Sequence, residues 1–292
     1  MKTAISVLAV VVLIALAGCG GGGKTDNQAR FQVFVGIPPV KYIVDQIGGD
    51  LVNVQVLNAE GKDPHTFEPT PSQISALSQT QLYISIGMPF ENEIVKKLKA
   101  ANPQLNIIQA DLGIEKRLHA EASLDGHPAS YHTDPHLWLS PFVLESISNM
   151  VCLQLTNYDK NNAIVYSHRW QSFVDRLQET HRNLRTRLEP FRGRTFYVFH
   201  PSFGYFAEVF GLKQIAIEVD GKQPSPRQVA KMVDLAKSQK VKIIFTQPQF
   251  SSRSAELIAK HVGASLESIN PLSYDILKNY ETIARALEKS FQ

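Results

Sequence analysis

Asp-Pro-His occurs twice in this chain, in DPHTFEPTPSQ (residues 63–73) and in TDPHLWLSP (residues 133–141). Imidazole accepts protons near neutrality and is the commonest protein ligand for divalent metals, so matched histidines raise the question of a shared site. Aspartate before proline is also an ordinary turn, and the repeat alone decides nothing. Nine histidines are present. His168 and His181 fall among the charged residues of a long helical pattern and are expected to be solvated. His261 precedes Val-Gly at a helix end, where a cation favours the carbonyl dipole. His119, His127 and His132 lie in a polar loop. His65, His136 and His200 remain, the last of them ending the run TFYVFH. They stand 71 and 64 residues apart, so only the fold can make them one site. In open α/β sheets ligands bind beyond the carboxyl ends of strands, which suits His65 and His200.

The elements that would position them alternate. Short β-type runs recur at 31–37, 52–58, 82–87 and 106–110, and again at 195–201, 214–219, 242–247 and 265–270. Helical patterns such as NEIVKKLKA and RQVAKMVDLAKSQ lie between many of them. Strands alternating with helices predict parallel sheets with helical crossovers, here two similar α/β lobes of four strands each. Residues 159–189 contain neither Pro nor Gly and carry apolar residues at helical spacing, predicting a helix of roughly 30 residues that Pro190 and Gly193 close. Such a helix would act as a stiff strut. The terminal segment places Ile276, Tyr280, Ile283 and Leu287 on one stripe of an amphipathic helix.

The chain divides on this reading into a signal peptide (1–18), a tether (19–30), an N-terminal lobe (31–140), linking helices (141–190) and a C-terminal lobe (191–292). The opening MKTAISVLAVVVLIALAGC is too short for a spanning helix and ends in small residues, as secretory leaders do. Leu16-Ala17-Gly18-Cys19 resembles a bacterial lipobox, implying acylation of Cys19 and a lipid anchor at the cell envelope, on the periplasmic face or the outer surface of the cytoplasmic membrane. Cys152 is then the one cysteine left, which excludes an intramolecular disulfide and a cysteine-built metal site; its apolar setting predicts a buried thiol. The formal charge of +3, without a Lys/Arg run, argues against nucleic acid.

GKDPHTFEPTPSQI, ISIGMPFEN, TDPHLWLSP, YVFHPSFGYFAEVFGL, QPSPRQV, FTQPQFSSRSAELIA and INPLSYDILKNY, with the long helix among them, resemble the metal-binding solute receptors of bacterial zinc/manganese ABC importers, in order from about residue 31 to the C-terminus. The resemblance implies a fold of two α/β lobes bridged by one long helix, a metal ion in the cleft, and its delivery as a monomer to a membrane permease. It places ligands at His65, His136 and His200. Three imidazoles suit Zn²⁺ better than Mn²⁺, which prefers harder oxygen ligands, so zinc is expected and manganese is the alternative. The fourth position departs from the family pattern, in which an aspartate is common where this chain has Asn270 and a glutamate near Gln247. Asn270 would offer an oxygen without a charge. Weak binding, a hydroxide or anion in the open position, or help from Asp63, Glu68, Asp134 or Asp275 would each answer that deficit, and the residues do not choose. Trp138, Phe203, Tyr205 and Phe206 are placed either to wall the cleft or to fill the core.

Three histidines with an open position would also suit an exported zinc hydrolase. No HExxH helix is present and no carboxylate stands in an evident general-base position, so a receptor that is not an enzyme is the expectation.

Overall fold

The computed structural model describes residues 30–120, 131–218 and 222–292. The expected leader, Cys19, nearly all of the tether and His127 lie outside the described residues.

The first lobe runs β1 (Phe31–Val35), α1 (Pro38–Gly48), β2 (Val52–Val56), α2 (Pro71–Ser78), β3 (Leu82–Ser85), α3 (Pro89–Ala101) and β4 (Asn106–Gln109). A two-stranded ribbon follows, β5 (Leu118–Ala120) and β6 (Tyr131–Thr133), and then α4 (Pro141–Tyr158) and α5 (Ala163–Leu188). The second lobe comprises β7 (Thr195–Val198), α6 (Gly204–Val209), β8 (Lys213–Ala216), α7 (Pro226–Ser238), β9 (Ile243–Thr246), α8 (Arg253–Val262), β10 (Ser265–Ser268) and α9 (Ile276–Phe291). The two four-stranded sheets are parallel throughout, in the orders β2-β1-β3-β4 and β10-β9-β7-β8. Numbered from its own first strand, each sheet reads 2-1-3-4. The lobes are two copies of one topology, each reversing direction beside its first strand.

Local chemistry accounts for the punctuation. Proline opens α1, α2, α3, α4 and α7, where its missing N–H is an orphan donor in any case. Thr70 with Gln73, and Ser225 with Gln228, form reciprocal capping boxes. β3 and β9 are buried at every position, as parallel strands covered on both faces must be.

The long helix is shorter than its sequence pattern suggests. α5 has 26 residues, about 39 Å at 1.5 Å per residue, and a 3-10 turn flanks it on each side, at Lys160–Asn162 and Glu189–Phe191. Asp159 sets the first of these turns, accepting from Asn162 Nδ2 at 2.7 Å and Tyr166 Oη at 2.8 Å. α5 buries Tyr166, Phe173, Val174, Leu177, Leu184 and Leu188. On α9, Ile276, Tyr280, Ile283 and Leu287 are all buried as the stripe requires, and Arg187 of α5 pairs with Glu281 and Glu288 beside them. One apolar cluster runs from β1 through α4 and α5 to β7 and α9, so the lobes share a core; a smaller cluster lies under α7 and α8. Cys152 is a free, buried thiol in that shared core, and burial pushes its pKa up.

Two expectations about histidines change. His181 is half-buried, its ring edge-on to Phe142 at 4.8 Å and near Phe210 at 5.9 Å, and desolvation lowers its pKa; His168 is exposed as expected. The ends of the polar loop are paired backbone, with His119 opposite His132 in the ribbon.

At the carboxyl end of β3, Glu91 is buried and accepts from Tyr83 Oη at 2.8 Å and from the backbone N–H groups of Ile86 and Met88 at 3.0 and 2.8 Å. A Cβ at position 36 would collide with its Oε1, so Gly36 is what admits the carboxyl. Burial outweighs these donors and raises the Glu91 pKa to about 7. The folded state therefore keeps a proton that the unfolded chain loses near pH 4.5. Stability from this group is full below that pH and is lost as pH rises through about 7. Urea titrations at pH 5 and pH 8 are expected to show a loss on the order of 2 kcal/mol that Glu91→Gln largely abolishes; an equal loss in the variant would contradict this.

Candidate metal centre

The two Asp-Pro-His segments are the same turn used twice. Proline has no N–H, so the first backbone donor an aspartate meets is that of the histidine two residues on. Asp63 Oδ1 accepts from His65 N at 2.8 Å, and Asp134 Oδ1 accepts from His136 N at 3.0 Å. The first turn follows β2 and the second precedes α4. Each throws its imidazole toward the cleft between the sheets.

The two aspartates then diverge. Asp63 turns its other oxygen to Thr66 Oγ1 at 2.9 Å. Asp134, fully buried, also meets the ring Nδ1 of His136 at 2.8 Å. Arg117 Nη1 holds Asp134 Oδ2 at 2.9 Å and reaches Glu208 on α6 through Nε at 3.2 Å. The guanidinium lies where a Cβ on Gly204 would stand, so glycine at the start of α6 lets this ion pair pass between the lobes.

His200 leaves the end of β7 and is fixed from the neighbouring strands. Gln247, just past β9, accepts from His200 N through Oε1 at 3.1 Å and donates to His200 O through Nε2 at 2.9 Å. A side-chain amide thus continues the sheet pairing where the backbone diverges. Glu218, beyond β8, meets His200 Nδ1 at 2.8 Å. Phe250 stacks on the imidazole with ring centroids 4.2 Å apart.

These arms bring His65, His136 and His200 together. Ring centroids are 5.6, 4.8 and 5.2 Å apart, and one ring nitrogen from each lies within 4.8 Å of the others. Ligand nitrogens on a tetrahedral ion with bonds of about 2.0–2.1 Å are about 3.3 Å apart, so closure requires shifts of no more than about 1.5 Å. His136 and His200 are 2% and 6% exposed, and His65 is half-buried. With Nδ1 against a carboxylate in His136 and in His200, Nε2 is the nitrogen each would turn to a cation, the tautomer a carboxylate–histidine–metal chain requires. Asp134 and Glu218 also stand one hydrogen bond beyond the rings, where their charge would answer the deficit of an ion held by three neutral imidazoles.

The other expected residues have contacts of their own. Among the described residues no carboxylate joins the three-histidine group. Glu68 is exposed, and Asp275 caps α9 by accepting from Lys278 N at 3.1 Å. Asn270 accepts from Gln249 Nε2 at 2.7 Å and Leu272 N at 3.0 Å, and donates to Glu60 at 3.1 Å. Trp138, Phe203, Tyr205 and Phe206 are core residues; Trp138 does both jobs, standing edge-on to His136 at 5.4 Å and donating to Pro271 O at 2.7 Å. Sequence reasoning missed Glu218, the clamping role of Gln247, and Phe250.

Two like lobes on a rigid helix, with converging imidazoles between them, define a bilobal receptor with a candidate metal site in its cleft. The chain belongs to the ZnuA family, described as zinc-uptake complex component A, periplasmic, whose model matches residues 33–290. It is 27% identical over 271 residues to the high-affinity zinc uptake system protein ZnuA of Bacillus subtilis, covering 89% of this chain and 85% of that protein. The fold matches a crystal structure of ZnuA at 36% identity and a TM-score of 0.83, over 89% of this chain and 99% of the other. It also matches a Zn(II)-bound AdcAII variant of Streptococcus pneumoniae at 25% identity and a TM-score of 0.74, over 90% and 99% of the two chains.

Gln247→Ala would strand a buried N–H and C=O on His200, each costing about 1–3 kcal/mol. A loss of unfolding free energy of that size is expected in denaturant titrations, and Gln247→Glu should not restore it, because a carboxylate cannot donate to the carbonyl. Full rescue by glutamate would refute the clamp.

Proposed function

We propose that this protein captures Zn²⁺ outside the cytoplasm and hands it to the permease of an ABC importer. The observation that carries this reading is the convergence of His65, His136 and His200 within 4.8 Å between the lobes, in a chain of the zinc-uptake family. Nitrogen-rich, closed sites favour zinc over manganese, both by ligand preference and by the Irving–Williams order. The protein does no chemistry on its cargo. Its residues strip and hold the ion: two imidazoles are set by buried carboxylates, Phe250 and Trp138 cover them, and His65, the most exposed of the three, is the arm through which the ion enters and leaves.

The leader and the lipobox support a location at the cell envelope with an anchor through Cys19. No helix among the described residues is long and apolar enough to cross a membrane. The divisions proposed for the chain follow its two sheets, with the linking helices α4 and α5 between them.

His65→Ala, His136→Ala and His200→Ala are each expected to lower Zn²⁺ affinity at least tenfold, about 1.4 kcal/mol, in competition with a chromophoric chelator. Glu218→Gln leaves all three imidazoles in place and should cost roughly tenfold through the lost charge and tautomer control. In the same assay Zn²⁺ should displace Mn²⁺ at equal free concentration; preference for Mn²⁺ would overturn the zinc reading. Sustained turnover of ester or peptide substrates by the zinc-loaded protein, abolished in His200→Ala, would replace the receptor reading with a hydrolase.

A further inference from the structure

Beside the histidines lies a cavity of about 10 Å³, lined by His65, His136, Ser202, Gln249 and Phe250 among others. That is about the room one solvent molecule needs. Two oxygens of the residues in its wall are buried and have no hydrogen-bond partner among the described residues: Ser202 Oγ and Gln249 Oε1. Ser202 is fully buried, and its backbone N–H donates to His200 O at 2.8 Å. A buried oxygen left unpaired costs about 1–3 kcal/mol, so two in one small cavity beside three imidazoles call for an occupant.

We propose that the fourth ligand of the captured ion is a water molecule held by Ser202 and Gln249, and that Asn270 orients Gln249 and does not touch the ion. The inference rests on the zinc-capture reading. A water that gives a lone pair to the metal has two hydrogens left to donate, and the wall offers two acceptors, Gln249 Oε1 and Ser202 Oγ. The match fails for an anion: azide or chloride has no hydrogen to give and would face the Gln249 carbonyl oxygen at close range.

Gln249 cannot relieve this by turning its amide over. Its Nε2 donates to Asn270 Oδ1, and that oxygen also accepts from the backbone N–H of Leu272. Asn270 is fixed in turn by its own Nδ2, which donates to Glu60 Oε1 in the His65 loop. The run of hydrogen bonds, anchored by the Leu272 N–H as donor and the Glu60 carboxylate as acceptor, passes through the two amides to the cavity, and reversing either amide sets oxygen against oxygen. An aspartate at 270 would repel Glu60 and could not make the same bridge. Position 270 therefore carries an amide because its work is orientation, from one lobe to the loop of the other.

The test is azide titration of the purified protein loaded with Co²⁺, followed by visible absorption. The native protein should show an intense tetrahedral band that azide leaves unchanged. Gln249→Ala and Ser202→Ala should keep that band but bind azide at least tenfold more tightly. Asn270→Ala should shift azide affinity in the same direction, a readout a purely structural role would not move. Ser202→Ala removes one oxygen from a fully buried position and guards against misfolding of the other variants. Equal azide affinity in native protein and variants would overturn the inference. A native protein with no tetrahedral band, or one whose band survives His200→Ala, would instead overturn the three-histidine site on which it stands.

Discussion

A buried imidazole that is to accept a cation on one nitrogen has to be held by the other. In this protein that constraint is met by two carboxylates buried with their rings, Asp134 on His136 and Glu218 on His200, each at 2.8 Å from Nδ1. Much of the surrounding structure supports these contacts. Arg117 ties down Asp134, Gln247 fixes the backbone of His200 from both sides, and Gly204 leaves room for the guanidinium. Each carboxylate would also bring charge toward an ion held by neutral imidazoles, without taking a coordination position.

The lobes that carry these contacts are joined by more than the long helix. A shared apolar core runs through them, and polar links cross between them: Tyr205 Oη takes the N–H of Arg117 and donates to Asp134 O, Tyr280 Oη donates to Trp138 O, and Tyr274 Oη donates to Asp45. Opening the cleft as a hinge would break this core, a cost far above the few kcal/mol that separate functional states. On the capture reading proposed above, metal exchange falls to the His65 loop, which is held to the second lobe by the surface contact between Glu60 and Asn270. Release through a loop and retention by rigid lobes are compatible only because the two histidines best fixed in place are also the two most buried.

The parallel runs of apolar residues, the proline-opened helices and the stripe on α9 were all legible in the sequence, because each depends on neighbours within a few residues. The repeated turn and the strand-end position singled out the three histidines, and the resemblance to the receptor family made them candidate ligands. The carboxylate and amide that hold His200 were not legible: Glu218 and Gln247 lie 18 and 47 residues away along the chain and become neighbours only through the order in which β7, β8 and β9 pair. The half-burial of His181 depends in the same way on Phe142 and Phe210 from other elements. Asn270 was visible as a departure from the family pattern, but its hydrogen bonds to Gln249 and Glu60 reach across 21 and 210 residues, and no local rule foretells them.

All of this presumes that one ion sits among the three rings. Anomalous diffraction from crystals of the zinc-loaded protein, collected on either side of the zinc edge, tests that claim directly. The account predicts one strong peak per chain, within about 2.0–2.1 Å of a nitrogen from each of His65, His136 and His200. A peak bound by fewer than three of these rings, or lying at the β5–β6 ribbon, would contradict it.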